Sequence, residues 1–108
     1  MIGNIKSVII NIDNSFDLKR EIELLKKNNI KVCFYKETGS YLKSICKLGT
    51  APSNCLAVDS SKEGLLEAKN FGMQTLCVYP NSSLIDCSLY SISSIKTFEY
   101  FFKKYVIN

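Results

Sequence analysis

The feature of this sequence that most constrains its fold is the regular alternation of short apolar runs with amphipathic segments. Five apolar runs have the length of β-strands, at residues 6–12, 30–35, 54–59, 74–79 and 88–93. The segments between them carry apolar residues three or four positions apart, which is typical of helices. Strands that alternate with helices favour a parallel sheet covered on both faces. We therefore predict an α/β fold, a small Rossmann-like domain of three layers with four to five parallel strands.

The helical segments also carry start and stop signals. Their apolar stripes are Leu18, Ile22, Leu24 and Leu25; Leu42, Ile45 and Leu48; and Ile95, Phe98, Phe101, Phe102 and Tyr105. Gly49 and Gly72 follow the second and third segments, at positions where glycine commonly ends a helix. Ser60 and Glu63 have the spacing of a capping box at the start of the third helix, and Ser94 is expected to cap the last one.

Length, charge and hydropathy exclude several classes of protein. With 108 residues the chain is long enough for one domain, residues 1–108, and too short for two. The net charge of +4 comes from scattered lysines and not from a basic stripe with interleaved aromatic residues, so we expect no nucleic-acid partner. No apolar run reaches the ~18 residues that a membrane-spanning helix needs, and no signal peptide is evident. We therefore expect a cytoplasmic protein with no membrane partner.

Histidine and cysteine usage restricts the chemistry that the chain can perform. The absence of histidine excludes Ser/His and Cys/His catalytic arrangements. Of the five cysteines, Cys33, Cys55 and Cys77 lie within apolar runs, and no CxxC pair occurs. We interpret these three as buried free thiols in a reducing compartment. A zinc site would need several thiolates together, and nothing in the sequence favours one.

A polar cluster is predicted where the strands end. In SVIINIDNSF, residues 7–16, an apolar strand runs directly into amides, a carboxylate and a hydroxyl. The carboxyl ends of parallel strands share one edge of the sheet, and α/β proteins build their sites there. With the first strand central, the side chains expected to converge are Asn11, Asp13, Lys36 and Asp59. The alternative is structural: Asn11 and Asp13 would only end a strand before a helix, and Lys36 would be a solvated loop lysine.

Residues 54–79, NCLAVDSSKEGLLEAKNFGMQTLCVY, carry a recognisable pattern. A strand ends in Asp59-Ser60-Ser61, and Gly64 and Ala68 then lie in a helix that ends in Phe71-Gly72-Met73. This pattern resembles the haloacid dehalogenase (HAD) superfamily, in particular its β-phosphoglucomutase-like phosphatases. SVIINIDNSF falls where that family has its DxDGT strand. The resemblance implies a HAD-like domain, here without room for the cap domain that usually encloses the substrate.

The resemblance implies phosphoryl-transfer chemistry. In the family a carboxylate attacks phosphorus and forms an aspartyl phosphate, and a second carboxylate two residues later protonates the leaving group and then activates water. Residues i and i+2 of a strand point to the same side, which places both carboxylates against one phosphate. Mg²⁺, a lysine and a threonine or serine neutralise charge on the transferred group.

This chain departs from the family pattern at the reacting positions. Asn11 stands at the nucleophile position, where a neutral amide is a poor nucleophile, and Asp13 keeps the acid/base position. Asp59 stands where the family usually has Glu, and Ser60 replaces the Asp that follows. Mg²⁺ prefers carboxylate oxygens, so a site made of Asn11, Asp13 and Asp59 would bind it weakly. No other cofactor is expected.

The middle of the chain is shorter than in the family. The second strand passes almost directly into the next helix, as if one helix and one edge strand were missing. Lys36 then matches either the phosphate-binding lysine or the Thr/Ser position, and in the second case Thr38 or Ser40 is the nearest hydroxyl. Ligand contacts are expected from Asn14, Ser15, Ser60 and Ser61.

These observations predict a degenerate HAD-like binding or regulatory module that has lost the aspartyl-phosphate mechanism, with a phosphorylated small molecule or a protein as partner. One alternative is an active Mg²⁺-dependent phosphohydrolase of small phosphomonoesters, in which Asp13 is the base for direct attack by water. A second alternative is a receiver- or flavodoxin-like binding domain with Asp59 as phosphoacceptor, although no lysine ends the last strand. The aromatic C-terminal helix is also predicted as a homodimer surface. The residues proposed for that surface are Tyr100, Phe101, Phe102 and Tyr105.

Overall fold

Five parallel strands form one sheet in the computed structural model, which describes residues 4–12, 17–78, 90–92 and 97–107. The strands are β1 (Ser7–Asn11), β2 (Lys31–Phe34), β3 (Cys55–Asp59), β4 (Gln74–Val78) and β5 (Tyr90–Ile92). Their order is β2-β1-β3-β4-β5, which is the flavodoxin-like order of doubly wound sheets. The predicted parallel α/β sheet is confirmed. The prediction that β1 is the central strand is wrong, because in the order of the described strands β1 lies between β2 and β3, and β3 occupies the middle.

The helices lie between the strands, as the alternation predicts. They are α1 (Lys19–Lys27), α2 (Tyr35–Thr38), α3 (Tyr41–Leu48), α4 (Lys62–Asn70) and α5 (Phe98–Phe101), with a 3₁₀ turn at Pro52–Asn54 and a π-helical turn at Phe102–Val106 that continues α5. Gly49 and Gly72 follow α3 and α4 with φ of 65° and 81°. That left-handed conformation favours glycine, so both predicted helix stops are confirmed.

The sheet separates two apolar cores, because successive side chains of a strand point to opposite faces. The first core includes Val8, Ile10, Leu25, Val58 and Phe98, and the second includes Ile9, Tyr41, Ile45, Ala57 and Ala68. Helices α1 and α5 therefore cover one face of the sheet, and α3 and α4 cover the other. This arrangement confirms the predicted three layers.

The aromatic C-terminal segment packs largely within this chain. Phe98, Phe101 and Phe102 are buried in the first core, and the rings of Phe98 and Phe102 stack with centroids 5.2 Å apart. Tyr100 alone of the four residues proposed for a homodimer surface is strongly exposed, at 64%. The apolar character of this segment is thus explained by its own core, and the homodimer stays a prediction.

Two local predictions are wrong. Ser61, not Ser60, caps α4, because its side chain accepts a hydrogen bond from the Gly64 N–H at 3.1 Å. Glycine stands three residues after this cap, so no reciprocal carboxylate completes a capping box. Leu42 is 51% exposed instead of lying in the core, because α3 turns Tyr41, Ser44 and Ile45 toward the sheet.

The segment after β2 also differs from its prediction. The second strand ends at Phe34, and Tyr35 begins the short helix α2, which the sequence did not indicate. The Glu37 carboxylate accepts a hydrogen bond from the Phe34 N–H at 3.2 Å and fixes this turn out of the strand. Residue 79 of the predicted fourth strand, residues 88–89 and 93 of the predicted fifth strand, the predicted cap Ser94 and Ile95 of the last apolar stripe lie outside the described residues.

The predicted burial of three thiols is confirmed. Cys33, Cys55 and Cys77 are buried and form no disulfide, and Cys46 is exposed and forms none either. Burial raises the pKa of the Cys55 thiol to about 11, so this thiol stays protonated at neutral pH. Among the residues that the structure describes, no helix combines the length and the apolar character needed to cross a membrane.

Candidate functional site

The candidate site lies where β1 and β3 end side by side. Their register pairs Asn11 with Asp59, and both residues project toward the face that α3 and α4 cover, as Ile9 and Ala57 do. The connection that follows β1 leads to β2 on one side of β1, and the connection that follows β2 leads back to β3 on the other side of β1. This reversal is a topological switch point, the position at which doubly wound sheets place their ligand crevice.

The Asp59 carboxylate is buried and fully hydrogen bonded. Its relative exposure is 1%. Oδ2 accepts from Asn11 Nδ2 and from the Tyr41 hydroxyl, both at 2.7 Å. Oδ1 accepts from the Ser61 N–H at 2.8 Å and from the Ser61 hydroxyl at 2.9 Å. A carboxylate has about four lone-pair positions, and these four donors use all of them.

The contact with Asp59 determines how the Asn11 amide is oriented. An ionised carboxylate only accepts hydrogen bonds, so the Asn11 group that faces it at 2.7 Å must be the NH₂. Asn11 therefore acts as a donor at the end of β1. A carboxylate at the same position would instead place two negative charges against each other.

Tyr41 supplies a second neutral donor from α3. Its side chain is completely buried, and its hydroxyl reaches Asp59 across the top of the second core. Burial, together with the negative charge of Asp59, holds the pKa of Tyr41 far above its ordinary value of 10.0. The hydroxyl therefore remains protonated and keeps donating over the whole physiological range.

Gly64 allows α4 to approach the carboxylate. A Cβ built on Gly64 would overlap Asp59 Oδ2 and lie 2.6 Å from its Cγ. The Ser61 hydroxyl accepts from the Gly64 N–H at 3.1 Å while it donates to Asp59. The start of α4 is thus fitted closely around Asp59, and a side chain at position 64 is incompatible with this arrangement.

Glu67 connects the same helix to the segment after β2. Its carboxylate accepts from the Tyr35 hydroxyl at 3.1 Å and from the Tyr41 N–H, the first of α3, at 2.9 Å. The Tyr35 and Tyr41 rings meet edge to face with centroids 4.9 Å apart. Burial and then the hydrogen bond to Glu67 raise the pKa of Tyr35. Helices α2 and α3 are therefore fastened to α4 by polar contacts beside Asp59.

The other predicted site residues have different outcomes. Asp13, Asn14 and Ser15 lie outside the described residues. Ser60 and Ser61 are exposed at the start of α4. Lys36 is exposed on α2 and does not hydrogen bond to Asp59 among the described contacts.

Three residues that complete the site were not predicted as site residues. Gly64 entered only through the family pattern, and neither Tyr41 nor Glu67 was singled out as a site residue. The spacing of Tyr41 and Ile45 does indicate a buried helix face, but nothing in it indicates a hydroxyl on a carboxylate. These contacts join segments that are far apart in the chain, so local patterns do not reveal them.

The described residues around Asp59 hold a buried negative charge through four hydrogen-bond donors. A metal ion at Asp59 would have to displace one of the four donors. In the described part of the chain, no three His, Cys, Asp or Glu residues lie close enough together to hold a metal ion. Among the described residues, the rim of the site includes Asn11, which is half-buried, and the two exposed serines that follow Asp59.

Comparison of the sequence with models of protein families found no matching family, and comparison with curated proteins found no match.

Proposed function

We propose that this chain is a degenerate HAD-like domain that works as a binding or regulatory module and does not form an aspartyl phosphate. The observation that carries the proposal is the 2.7 Å hydrogen bond from Asn11 Nδ2 to Asp59 Oδ2. At the strand end where the resemblance expects an attacking carboxylate, the side chain is an amide that donates to a buried acid.

With this bond, neither Asn11 nor Asp59 is suited to act as a nucleophile. An amide oxygen carries no negative charge, and attack through it yields no stable acyl phosphate. Asp59 is a carboxylate, but it is 1% exposed and accepts four hydrogen bonds, so it does not replace the missing nucleophile. Loss of a nucleophile costs a factor on the order of 10⁶ in rate in well-studied hydrolases.

Binding of Mg²⁺ at this strand end is also expected to be weak. Mg²⁺ is bound through carboxylate oxygens with open lone pairs. The lone pairs of Asp59 are engaged by neutral donors, and Asn11 presents its NH₂ to Asp59. Asp13 remains the carboxylate predicted for the acid/base position. One carboxylate without a second open one supports at most weak Mg²⁺ binding.

A ligand of this module would meet the exposed rim of the site. Ser60 and Ser61 are exposed at the start of α4, beside Asn11. The Ser61 hydroxyl proton is already donated to Asp59. Ligand contacts would therefore come from the Ser60 hydroxyl and the Asn11 amide, which suit a phosphorylated small molecule or a polar protein segment. Asn14 and Ser15 are predicted to add to the same rim from the loop after β1.

A receiver- or flavodoxin-like binding domain is the second candidate, and the strand order favours it. The order β2-β1-β3-β4-β5 is the flavodoxin-like order, and Asp59 ends the middle strand. The saturated, buried state of Asp59 argues against a phosphoacceptor there. Incubation with acetyl phosphate and Mg²⁺ tests this candidate, because a phosphoryl group on Asp59 found by mass spectrometry would support it over the first.

The test of the first proposal is Mg²⁺-dependent hydrolysis of a panel of phosphomonoesters by the unmodified chain and by Asn11→Asp. Asn4→Asp is the matched control, since it adds the same charge at an exposed position outside the site. We expect no turnover by the unmodified chain or by the control. Circular dichroism of each variant verifies that it is folded.

The possible results separate the hypotheses. Turnover by folded Asn11→Asp alone would mean that Asn11 is the single lesion in a pocket that still recognises phosphate. Absence of turnover from all three proteins fits a binding module whose other positions have also diverged. Robust turnover by the unmodified chain would contradict the proposal and favour the phosphohydrolase alternative, with Asp13 as base.

A further inference from the structure

A second feature of the fold, away from Asp59, is the outer edge of β2. This strand is the last in the sheet order on its side, and no other strand of the described residues pairs with its outer edge. A groove of about 650 Å³ runs along this edge. Its lining consists of Lys26, Asn29, Ile30, Lys31, Val32, Cys33, Lys47 and Leu48.

The groove has a basic character. Three of its eight lining residues are lysines, and none is acidic. Lys26 comes from the last turn of α1, Lys31 begins β2, and Lys47 comes from the last turn of α3. The lysines therefore line both walls of the groove. The Lys47 amino group lies 3.1 Å from the Glu37 carboxylate. The Lys31 amino group donates a hydrogen bond to the uncharged Leu48 carbonyl at 3.0 Å. No carboxylate of the lining therefore balances the charges of Lys26 and Lys31.

The backbone of β2 offers hydrogen-bonding groups to the same groove. Lys31 donates its N–H to Lys6 on the β1 side at 3.0 Å. Because alternate residues of a strand bond to opposite neighbours, the N–H and C=O of Val32 point away from β1. The next outward N–H, that of Phe34, is already bonded to the Glu37 carboxylate. Val32 is thus the residue of β2 at which an added strand would pair.

We propose that this edge binds an extended acidic segment of a partner protein, which adds to β2 as a short strand. Backbone groups of the segment would pair with Val32, and its acidic side chains would face lysines on the two walls. A second copy of this chain fits less well, because two such edges would bring lysines against lysines. This inference does not depend on the chemistry at Asp59.

Lysines on an edge strand also discourage unwanted pairing between sheets. The experiment therefore has to distinguish an edge that only prevents strand pairing from an edge that binds a partner segment. The probe is a fluorescently labelled synthetic peptide about six residues long in which pairs of glutamates alternate with pairs of valines, so that glutamates lie on both faces of the added strand. Fluorescence anisotropy with the full chain measures its binding. The same peptide with lysine in place of glutamate and an N-methylated form of the acidic peptide are the comparison probes.

Three variants of the chain complete the test. Lys26→Glu reverses one charge of the groove, and Lys69→Glu is its matched control, an exposed lysine in the last turn of α4. Val32→Pro removes the outward N–H at a position where an edge strand tolerates proline. All three should keep the circular dichroism spectrum of the unmodified chain.

We expect the acidic peptide alone to bind, with affinity that falls as salt is added. Lys26→Glu, Val32→Pro and N-methylation of the peptide should each weaken binding at least about fivefold, a change of ~1 kcal/mol. Lys69→Glu should leave it unchanged. Equal binding of the N-methylated peptide would overturn strand addition. Absence of binding by the acidic peptide would overturn the proposal and leave the lysines the role of preventing unwanted pairing of β2 with another strand. A dimer in sedimentation equilibrium that Val32→Pro dissociates would assign the edge to a second copy and overturn the proposal.

Discussion

The switch point between β1 and β3 and the outer edge of β2 use their polar groups in opposite ways. At the switch point the Asp59 carboxylate is buried and its four acceptor positions are bonded within the chain. Along β2 the lysines lie on the surface, and the backbone of Val32 faces outward. The first region is closed around its charge, and the second displays its charge to solvent.

This difference shows that the position of a polar residue in a fold does not establish its use. The switch point is where doubly wound sheets usually bind ligands, yet its acid is committed to internal hydrogen bonds. The side edge of a sheet is usually a position to be protected, yet here it carries exposed lysines beside the outward-facing backbone of Val32. Substitutions in the closed region should therefore change stability, and those in the open region should change binding.

The largest effect is expected from Gly64→Ala. An exchange of this kind inside a helix usually gains about 1 kcal/mol. Here the added Cβ would overlap Asp59 Oδ2, so α4 or the carboxylate must move and the buried network breaks. We expect a loss of about 3 kcal/mol or more in the free energy of unfolding, measured by urea denaturation.

Gly39→Ala is the control for this substitution. Its Cβ would meet nothing within 4 Å, and its φ of 84° leaves only backbone strain of about 1–2 kcal/mol. A smaller loss for Gly64→Ala than for Gly39→Ala would mean that the region around Asp59 is not closely packed, and the contrast between the two regions would fail.

A somewhat smaller effect is expected from Asn11→Asp. The variant exchanges a donor for a carboxylate that faces Asp59 across 2.7 Å, and it loses about 2–3 kcal/mol of stability at neutral pH. Two adjacent carboxylates share a proton, which raises the pKa of the pair above the values in the unfolded chain. The loss should therefore shrink as the pH is lowered into the mildly acid range.

Thermal denaturation of Asn11→Asp and of the unmodified chain at neutral and mildly acid pH, with and without Mg²⁺, measures this loss of stability. Asn4→Asp should show neither the loss nor its dependence on pH. Recovery of the variant by Mg²⁺ at neutral pH would show that the second carboxylate opens the site to the metal. A variant as stable as the unmodified chain at neutral pH would contradict the arrangement around Asp59.

The smallest of these effects is expected from Tyr41→Phe. The ring still fills the second core, but Asp59 loses one of four donors, which costs about 1–2 kcal/mol at neutral pH. The pKa of Tyr41 is raised in the folded chain, so its protonated hydroxyl contributes fully below the ordinary value of 10.0. Above pH 10.0 the Tyr41 hydroxyl ionises in the unfolded chain but stays protonated in the folded chain. Its contribution to the free energy of unfolding then falls by about 1.4 kcal/mol per pH unit.

The difference in stability between the unmodified chain and Tyr41→Phe should therefore narrow as the pH rises above 10.0. Urea denaturation at neutral and alkaline pH measures it. Tyr100→Phe, at a position that is 64% exposed, should change stability by less than about 0.5 kcal/mol at neutral pH. A difference for Tyr41→Phe that stays constant with pH would place the hydroxyl outside the buried network.

The sequence predicted the layout of the fold because that layout rests on periodic apolar burial. The strands coincide with apolar runs such as VCF and CLAV, and most helices coincide with segments whose apolar residues lie three or four positions apart. Asn11 lies beside Asp59 because both residues end parallel strands. The order of the strands was less accessible. Apolar alternation does not specify which strand lies in the middle, and the position of β3 there depends on how many strands lie beyond β1.

The details of the site were predicted less well, because they depend on contacts between distant segments. Tyr41 reads as a packing residue in any helical pattern, and only the docking of α3 brings its hydroxyl to Asp59. Lys36 was expected at this edge of the sheet because it follows the second strand. It lies in the short helix α2 and is exposed, and the Glu37 carboxylate that accepts the Phe34 N–H fixes the turn into this helix, which local patterns did not indicate.

Tyr41 also has a consequence for how the molecule opens. Its ring lies in the second core, its hydroxyl bonds to the end of β3, and its N–H bonds to Glu67 of α4. Local fraying of α3 at its first turn would break all three connections at once. Amide protons at the start of α3 should therefore exchange with solvent only in the cooperative event that also exposes β3, whereas those at the end of α3 exchange by local opening.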